Sequence, residues 1–467
     1  IPLEMTRASG FPPLPAELRD RLAGVWEGAL SIGAIELRLV FHLQAGGNGH
    51  LGGSMDSPDQ GAKDIAVTRT DFLEDGRVRI CIGSVGGAFE ASLEERGDFL
   101  AGTFRQGGQE LPLTLHRVAA PTRVNRPQTP KPPFPYRQEE VSYENKAGGV
   151  TLAGTLTLPP GEGPFPAALL ITGSGAQDRD ETIFQHHPFL VIADHLTRAG
   201  VAVLRVDDRG VGGSSRGPEG ATTADFAGDV RAGVAFLRGR RTIDPARIGL
   251  IGHSEGGIIA PMVASEDKDL AFVVLLAGTG LPGGEILEMQ SALIARASGG
   301  EEKSIAANRK IQKQLFSILA DESLSPDAAR ERMRKAFLAS PDLPEGKEGE
   351  SVIRRQLAML ESPWMRFFIR LDPAPYLEKV KCPVLAMNGT LDLQVPCKED
   401  LEAIGKALEK GGNPDFTLKK LPGLNHLFQH AETGLVTEYG HIEETFSEEA
   451  LDLMTAWILE RVRKRGS

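Results

Sequence analysis

Residues 248–256 read Ile248-Gly249-Leu250-Ile251-Gly252-His253-Ser254-Glu255-Gly256, and an apolar stretch of helical composition runs on to Ala264. A short buried strand, a serine with glycines two before and two after it, and a helix directly behind form the context of a nucleophile elbow. The requirement is steric. The serine must sit on a strained turn so that its hydroxyl stands clear of the sheet, and glycines let strand and helix approach closely. The five-residue motif alone is weak in a chain with 54 glycines. The strand before it and the helix after it give it weight and make Ser254 the candidate nucleophile.

Outward from this point the chain alternates. Phe165–Ile171 and Val201–Val206 are continuous apolar runs of strand length, as buried parallel strands should be. Helices are predicted around 187–199, 223–238, 256–264, 397–410 and 444–464, and further strands at 248–251, 270–276, 384–387 and 416–421. This predicts an α/β architecture, a mostly parallel sheet with helices on both faces. The stretch 281–375 breaks the rhythm. Ile311, Leu315, Ile318 and Leu319 have helical spacing there, so it reads as a helical cap inserted between two sheet strands. Upstream, six prolines between Pro121 and Pro135 mark an extended linker over 118–138. Before the linker, Ile35, Leu37, Leu39, Phe41 and Leu43 alternate with period two, as do Val78, Ile80 and Ile82. Turn clusters such as Gly46-Gly47-Asn48-Gly49 punctuate them. The expectation is an N-terminal arm over 1–20, a small all-β, barrel-like domain over 21–117, and a catalytic domain over 139–467.

A serine hydroxyl needs a base, and the base needs a carboxylate to orient it. Asp392, in Asn388-Gly-Thr-Leu-Asp392-Leu-Gln-Val-Pro396, follows a predicted strand. His426, in Gly423-Leu-Asn-His426, follows the next one. Both would emerge at the sheet edge that carries Ser254. His430 and His441 are the alternative bases. Oxyanion donors are expected from the backbone N–H of Glu255 and from the loop Thr172-Gly173-Ser174-Gly175-Ala176-Gln177-Asp178-Arg179-Asp180, with Ser174 first and Gly175 second. Asp207-Asp208-Arg209-Gly210 reads as a turn whose Asp/Arg pairing supports the elbow from a neighbouring strand. Trp364, Phe367 and Phe368 are candidates for an acyl pocket.

Hydrophobic residues make up 41% of the 467 and charged residues 25%, which excludes a disordered chain. Lys and Arg total 52 against 63 Asp and Glu, a net charge of −11. An acidic balance argues against general nucleic-acid binding. The sequence holds no apolar run long enough for a membrane span. Cys81, Cys382 and Cys397 are too few and scattered for a disulfide framework or a cysteine zinc site, and adjacent His186 and His187 have poor metal-ligand spacing. No cofactor or metal is expected. The chain starts at Ile1, which fits a processed protein, with Met5 as a candidate start. A soluble protein of the cytoplasm, or one exported after signal removal, fits equally, and a homo-oligomer is compatible with the sequence.

Taken in order, Ile171-Thr-Gly-Ser-Gly-Ala-Gln-Asp-Arg-Asp180, Val206-Asp-Asp-Arg-Gly210, Gly252-His-Ser-Glu-Gly256, Asn388–Pro396 and Gly423–His426 resemble the bacterial α/β-hydrolase serine esterases, in the EstD-like branch often described as dienelactone-hydrolase-like. Trp26-Glu-Gly28, Asp56-Ser-Pro-Asp-Gln-Gly61 and Gly102-Thr-Phe-Arg-Gln-Gly107 are similar to the small β domain of that branch. The resemblance implies an α/β-hydrolase fold over about 140–465, hydrolysis of small-molecule, short-chain carboxylic esters, a helical cap, and nucleophile, acid and base at Ser254, Asp392 and His426. Dienelactone hydrolases carry a cysteine nucleophile where this chain has Ser254, which argues against that chemistry. A serine peptidase or amidase and an acyltransferase are the rival enzymes. Ligand binding through the β domain is the non-enzymatic alternative.

Overall fold

The computed structural model describes residues 14–32, 35–46, 51–60, 62–121, 125–339, 343–344 and 346–465. Ile1, Met5 and the rest of 1–13, the turn residues Gly47, Asn48 and Gly49, and Gly61 lie outside the described residues. The chain divides into two compact units. One holds 1–126 with 183–186 and 439–443, and the other holds 127–182, 187–438 and 444–467.

In the first unit a short helix, α1 (Ala16–Leu22), leads into β1 (Gly24–Ile32), β2 (Ile35–Ala45), β3 (Leu51–Ser57), β4 (Ala62–Val67), β5 (Arg69–Phe72), β6 (Val78–Ile82), β7 (Gly87–Leu93), β8 (Phe99–Gln106) and β9 (Gln109–Val118). They form one antiparallel sheet in the order β4-β3-β2-β1-β9-β8-β7-β6-β5. Thr70 Oγ1 on β5 donates to the carbonyl of Leu51 on β3 at 2.8 Å, so the sheet curls back on itself, barrel-like. Period-two alternation puts Leu39, Phe41, Leu43, Val78, Ile80 and Ile82 in the interior with the fully buried Trp26. The indole N–H of Trp26 donates to the Leu22 carbonyl at 2.8 Å, so this large side chain buries no orphan donor.

The second unit is built on β10 (Arg137–Asn145), β11 (Val150–Leu158), β12 (Phe165–Ile171), β13 (Ala202–Val206), β14 (Ile243–His253), β15 (Val273–Leu276), β16 (Val384–Gly389) and β17 (Phe416–Leu421). Their order is β10-β11-β13-β12-β14-β15-β16-β17. The β10–β11 and β11–β13 pairs are antiparallel, and the other pairs are parallel. β10 begins inside the stretch read from sequence as linker. The helices between strands are α2 (Pro188–Arg198), α3 (Thr223–Arg238) and α4 (Gly256–Glu266). After β15 come α5 (Gly283–Ala297), α6 (Glu302–Ala320), α7 (Pro326–Leu338), α8 (Gly346–Leu360), α9 (Pro363–Arg370) and α10 (Ala374–Leu377), and then α11 (Cys397–Lys410), α12 (Val436–Tyr439) and α13 (Glu448–Arg465).

The apolar run of β12 has a direct explanation. Ala167, Leu169 and Ile171 point into a core shared with Val234 of α3, Ile258 of α4 and Leu401 of α11. Ala168 and Leu170 point into the opposite core, with Leu196 of α2 and Met454 of α13. Both faces of the strand are covered, so neither can be polar. Helices α6 to α9 enclose a smaller core of their own around Leu315, Met333, Leu357 and Ile369. Among the described residues no helix is long and apolar enough to cross a membrane.

Candidate active site

β14 ends at His253 and α4 begins at Gly256. Ser254 between them has φ +52°, a left-handed backbone. For a side-chain-bearing residue this costs about 1–3 kcal/mol and persists only where the surroundings fix it. They do: Ser254 N–H donates to the Leu276 carbonyl on β15, and Gly257 N–H donates to the Ser254 carbonyl, each at 2.9 Å. A Cβ on Gly252 would lie 2.0 Å from the Gly256 carbonyl oxygen, and one on Gly256 would lie 2.2 Å from that of Ile171. Both glycines are therefore required by backbone approach. Between Ile251 and Ala260, Ser254 alone is not buried.

Asp392 and His426 come together behind the ends of β16 and β17. His426 Nδ1 donates to Asp392 Oδ2 at 2.8 Å. The other carboxylate oxygen accepts from the N–H groups of Gln394 and Val395, each at 2.8 Å. The side chain of Asp392 is completely buried and that of His426 is 5% exposed. Asn425 sets the loop that carries His426: its Oδ1 accepts from Leu427 N–H and Gln429 N–H at 3.0 Å. Among the described residues His426 Nε2 has no protein partner, and no hydrogen bond joins it to Ser254 Oγ. Such bonds are often long in unliganded sites and tighten with substrate. Of the two alternative bases, His430 pairs with Glu444 at 2.9 Å and is largely exposed, and His441 is exposed.

The loop after β12 lies beside the elbow. A Cβ on Gly173 would sit 3.2 Å from Ser254 Cβ. Gly173 N–H is already committed, donating to Glu181 Oε1 at 2.8 Å. Ser174 and Gly175 are exposed, and Gly175 has φ +104°. The turn 207–210 does pair Asp with Arg, but it braces this loop and not the elbow. Arg179 binds Asp207 through Nε at 3.0 Å and Nη2 at 2.7 Å, and Asp208 accepts from Gln177 N–H and Thr172 Oγ1, each at 2.9 Å. The reason is topological: β13 pairs with β12, not with β14.

A cavity of about 170 Å³ is lined by Gly173, Gly175 and Ala176, by Glu255, and by apolar side chains including Leu152, Phe226 and Ile259. The acyl-pocket candidates Trp364, Phe367 and Phe368 are not among its lining residues, and neither are Ser254 and His426. Trp364 stacks on Phe368 with centroids 5.0 Å apart, and its Nε1 donates to Glu255 Oε1 at 2.8 Å. Phe367 packs against the sheet core. The Glu255 carboxylate also accepts from Thr223 Oγ1 at 2.7 Å. Aromatic residues at helical spacing here serve packing, and one indole is tied to the residue after Ser254.

Sequence reasoning missed Glu181. His253, inside the elbow motif, places Nδ1 2.9 Å from Glu181 Oε1 and Nε2 3.0 Å from the His426 carbonyl oxygen. The acidic run at 178–181 was the only local signal.

A strained serine between strand and helix, with an Asp–His pair on the loops after the last two strands, defines a hydrolase of the α/β type. The profile of the Alpha/beta hydrolase family matches residues 168–437, more than half of the chain, and the chain belongs to that family. It is similar to Esterase EstD of Thermotoga maritima, 26% identical over 327 residues that cover 68% of each chain. Solved structures with a related fold include the α/β hydrolase GrgF from Penicillium sp. sh18, with 17% identity, TM-score 0.43, 71% of this chain and 100% of that one. They also include Est1E from Butyrivibrio proteoclasticus with ferulic acid bound, with 18% identity, TM-score 0.40, 69% of this chain and 99% of that one.

Proposed function

We propose that the protein is a serine carboxylesterase that hydrolyses short-chain esters through an acyl-enzyme. Ser254 Oγ attacks the ester carbonyl while His426 takes its proton. The backbone N–H groups of Glu255 and of Ser174 or Gly175 receive the oxyanion. The alkoxide leaves with the proton from His426. Water, deprotonated by His426, then attacks the acyl-enzyme and releases the acid and Ser254. Asp392 holds the Nδ1–H tautomer throughout. The carrying observation is the 2.8 Å bond from His426 to a fully buried carboxylate, on a loop next to a serine at φ +52°. The similarity to a named esterase supports the ester class. In this reading α5 to α9 form the cap.

The test is a p-nitrophenyl ester series from acetate to palmitate, run beside a peptide p-nitroanilide on wild type and Ser254→Ala. Fast turnover of the short esters that vanishes in the variant is expected. Ester turnover that survives in Ser254→Ala would sink the mechanism. Amide cleavage without ester cleavage would replace the esterase with a peptidase.

A further inference from the structure

Ester chemistry uses one carboxylate–imidazole pair, and the site contains a second. Glu181 and His253 are 4% and 7% exposed. Glu181 Oε1 meets both Gly173 N–H, at 2.8 Å, and His253 Nδ1, at 2.9 Å. His253 Nε2 meets the His426 carbonyl oxygen at 3.0 Å. Neither a carboxylate nor a carbonyl can donate, and a neutral imidazole has only one N–H. With Glu181 ionised, both contacts are satisfied together only when the ring carries two protons. The resulting imidazolium is neutralised by Glu181, so the buried pair has no net charge.

The charged surroundings agree. Around His253 stand Glu181 from the loop after β12, Asp392 from the loop after β16, and the His426 ring after β17, whose centroid is 4.8 Å away. Asp208, from the end of β13, lies near Glu181, and the Glu255 carboxylate is turned to Thr223 and Trp364. Burial alone pushes the His253 pKa down. The charge and hydrogen bond of Glu181, the His426 carbonyl and the charge of Asp392 outweigh it and hold it above the ordinary histidine value. Glu181 also has φ +52°, a conformation retained only where contacts fix it.

We propose that Glu181 and His253 are positioning residues. As a carboxylate–imidazolium pair they clamp three segments in one register: the loop of residues 173–175, the elbow of Ser254 and the loop of His426. Turnover then requires doubly protonated His253. The clamp rests on the assignment of Ser254, His426 and Asp392 as the reacting groups, but the protonation state of His253 does not.

Glu181→Gln removes the charge and keeps the shape, because the amide oxygen still accepts from Gly173 N–H and His253 Nδ1–H. Without the carboxylate His253 loses its second proton near neutral pH. Its Nε2 lone pair then opposes the His426 carbonyl and displaces the base loop. Misplacement of this kind costs on the order of tenfold to a hundredfold in kcat at about pH 8, with KM little changed. Acid restores the second proton, so the ratio of wild-type to variant kcat narrows towards about pH 6. A ratio that stays constant across pH overturns the proposal.

A second measurement does not depend on that variant folding or on the identity of the nucleophile. In Ser254→Ala labelled with 15N-histidine, with His253→Gln for assignment, both ring nitrogens of His253 are expected in the protonated range at about pH 8. A single neutral tautomer overturns the proposal. Failure of a fluorophosphonate to label Ser254 in wild type would overturn the esterase reading, while the spectrum would still decide the protonation of His253.

Discussion

The Asp392–His426 and Glu181–His253 pairs are built from the same two groups, bonded at 2.8 and 2.9 Å, with their rings 4.8 Å apart. They differ at the far nitrogen. Nε2 of His253 ends on the His426 carbonyl, whereas Nε2 of His426 has no protein partner among the described residues. They also differ in what holds the carboxylate. Asp392 is fixed by two N–H groups of its own turn, and Glu181 by the N–H of Gly173 on the loop after β12. An imidazole whose two nitrogens are both satisfied is a strut. One with a nitrogen in reserve can accept a proton. The same chemistry thus yields structure or reactivity according to one neighbouring carbonyl.

The largest expected effect separates the proposed reacting pair from the proposed strut. Ser254→Ala should lower kcat on a short p-nitrophenyl ester by on the order of 10⁶, because the nucleophile is lost outright. Its melting temperature should hold, since alanine accepts the same backbone about as well. Next comes Asp392→Asn. The amide can still accept from Gln394 and Val395, but it no longer stabilises the imidazolium or enforces the tautomer, so a loss of about 10⁴ in kcat is expected. A loss no greater than that of Glu181→Gln would erase the distinction between the pairs. Gly256→Ala tests the scaffold beneath both. Its Cβ would meet the Ile171 carbonyl oxygen at 2.2 Å, so thermal unfolding should report about 1–3 kcal/mol of destabilisation together with impaired turnover.

The elements that carry the proposed site were legible in the sequence because each has a local cause. β12 is apolar throughout because both of its faces are covered, and the elbow glycines are needed where backbone meets backbone. Asp392 and His426 follow buried strands, so their loops emerge at one edge. What stayed hidden is made by tertiary contact. Glu181 and His253 are far apart in sequence, and nothing in either neighbourhood predicts the other. β10 is a half-exposed strand at the end of the sheet beside β11, so its residues Arg137–Asn145 carry too little hydrophobic alternation to stand out from the proline-rich stretch before them. Trp364, Phe367 and Phe368 share one helix face, and spacing cannot say whether such a face meets a cavity or a core.

The smallest effect concerns a third carboxylate at the same loop, one with no imidazole. Among the described residues Asp208 accepts from Gln177 N–H and Thr172 Oγ1. Burial pushes its carboxyl up to about 7 against those two bonds, with the charges of Glu181 and Glu255 adding to the rise. Its folded pKa thus lies above the unfolded value of about 3.9. Across that window the folded state keeps a proton that the unfolded state has released, so stability falls as pH rises from about 4 to about 7 and stays low above it. Asp208→Asn removes this titration while its amide oxygen takes Gln177 N–H and its amide N–H donates to Thr172 Oγ1. The variant should gain on the order of 1 kcal/mol over wild type at about pH 8 and nothing at about pH 4, read by denaturant unfolding at both. Asp400, buried on Thr279, Gly280 and Leu281, is likewise pushed up to about 7 by burial, so the wild-type slope should shrink and not vanish. His253 has the same sign, but its contribution is lost only above the ordinary histidine range, where its raised pKa lies. A gain from Asp208→Asn that appears equally at both pH values would mean that Asp208 stays ionised throughout, and that a carboxylate at this loop needs no imidazolium to remain charged.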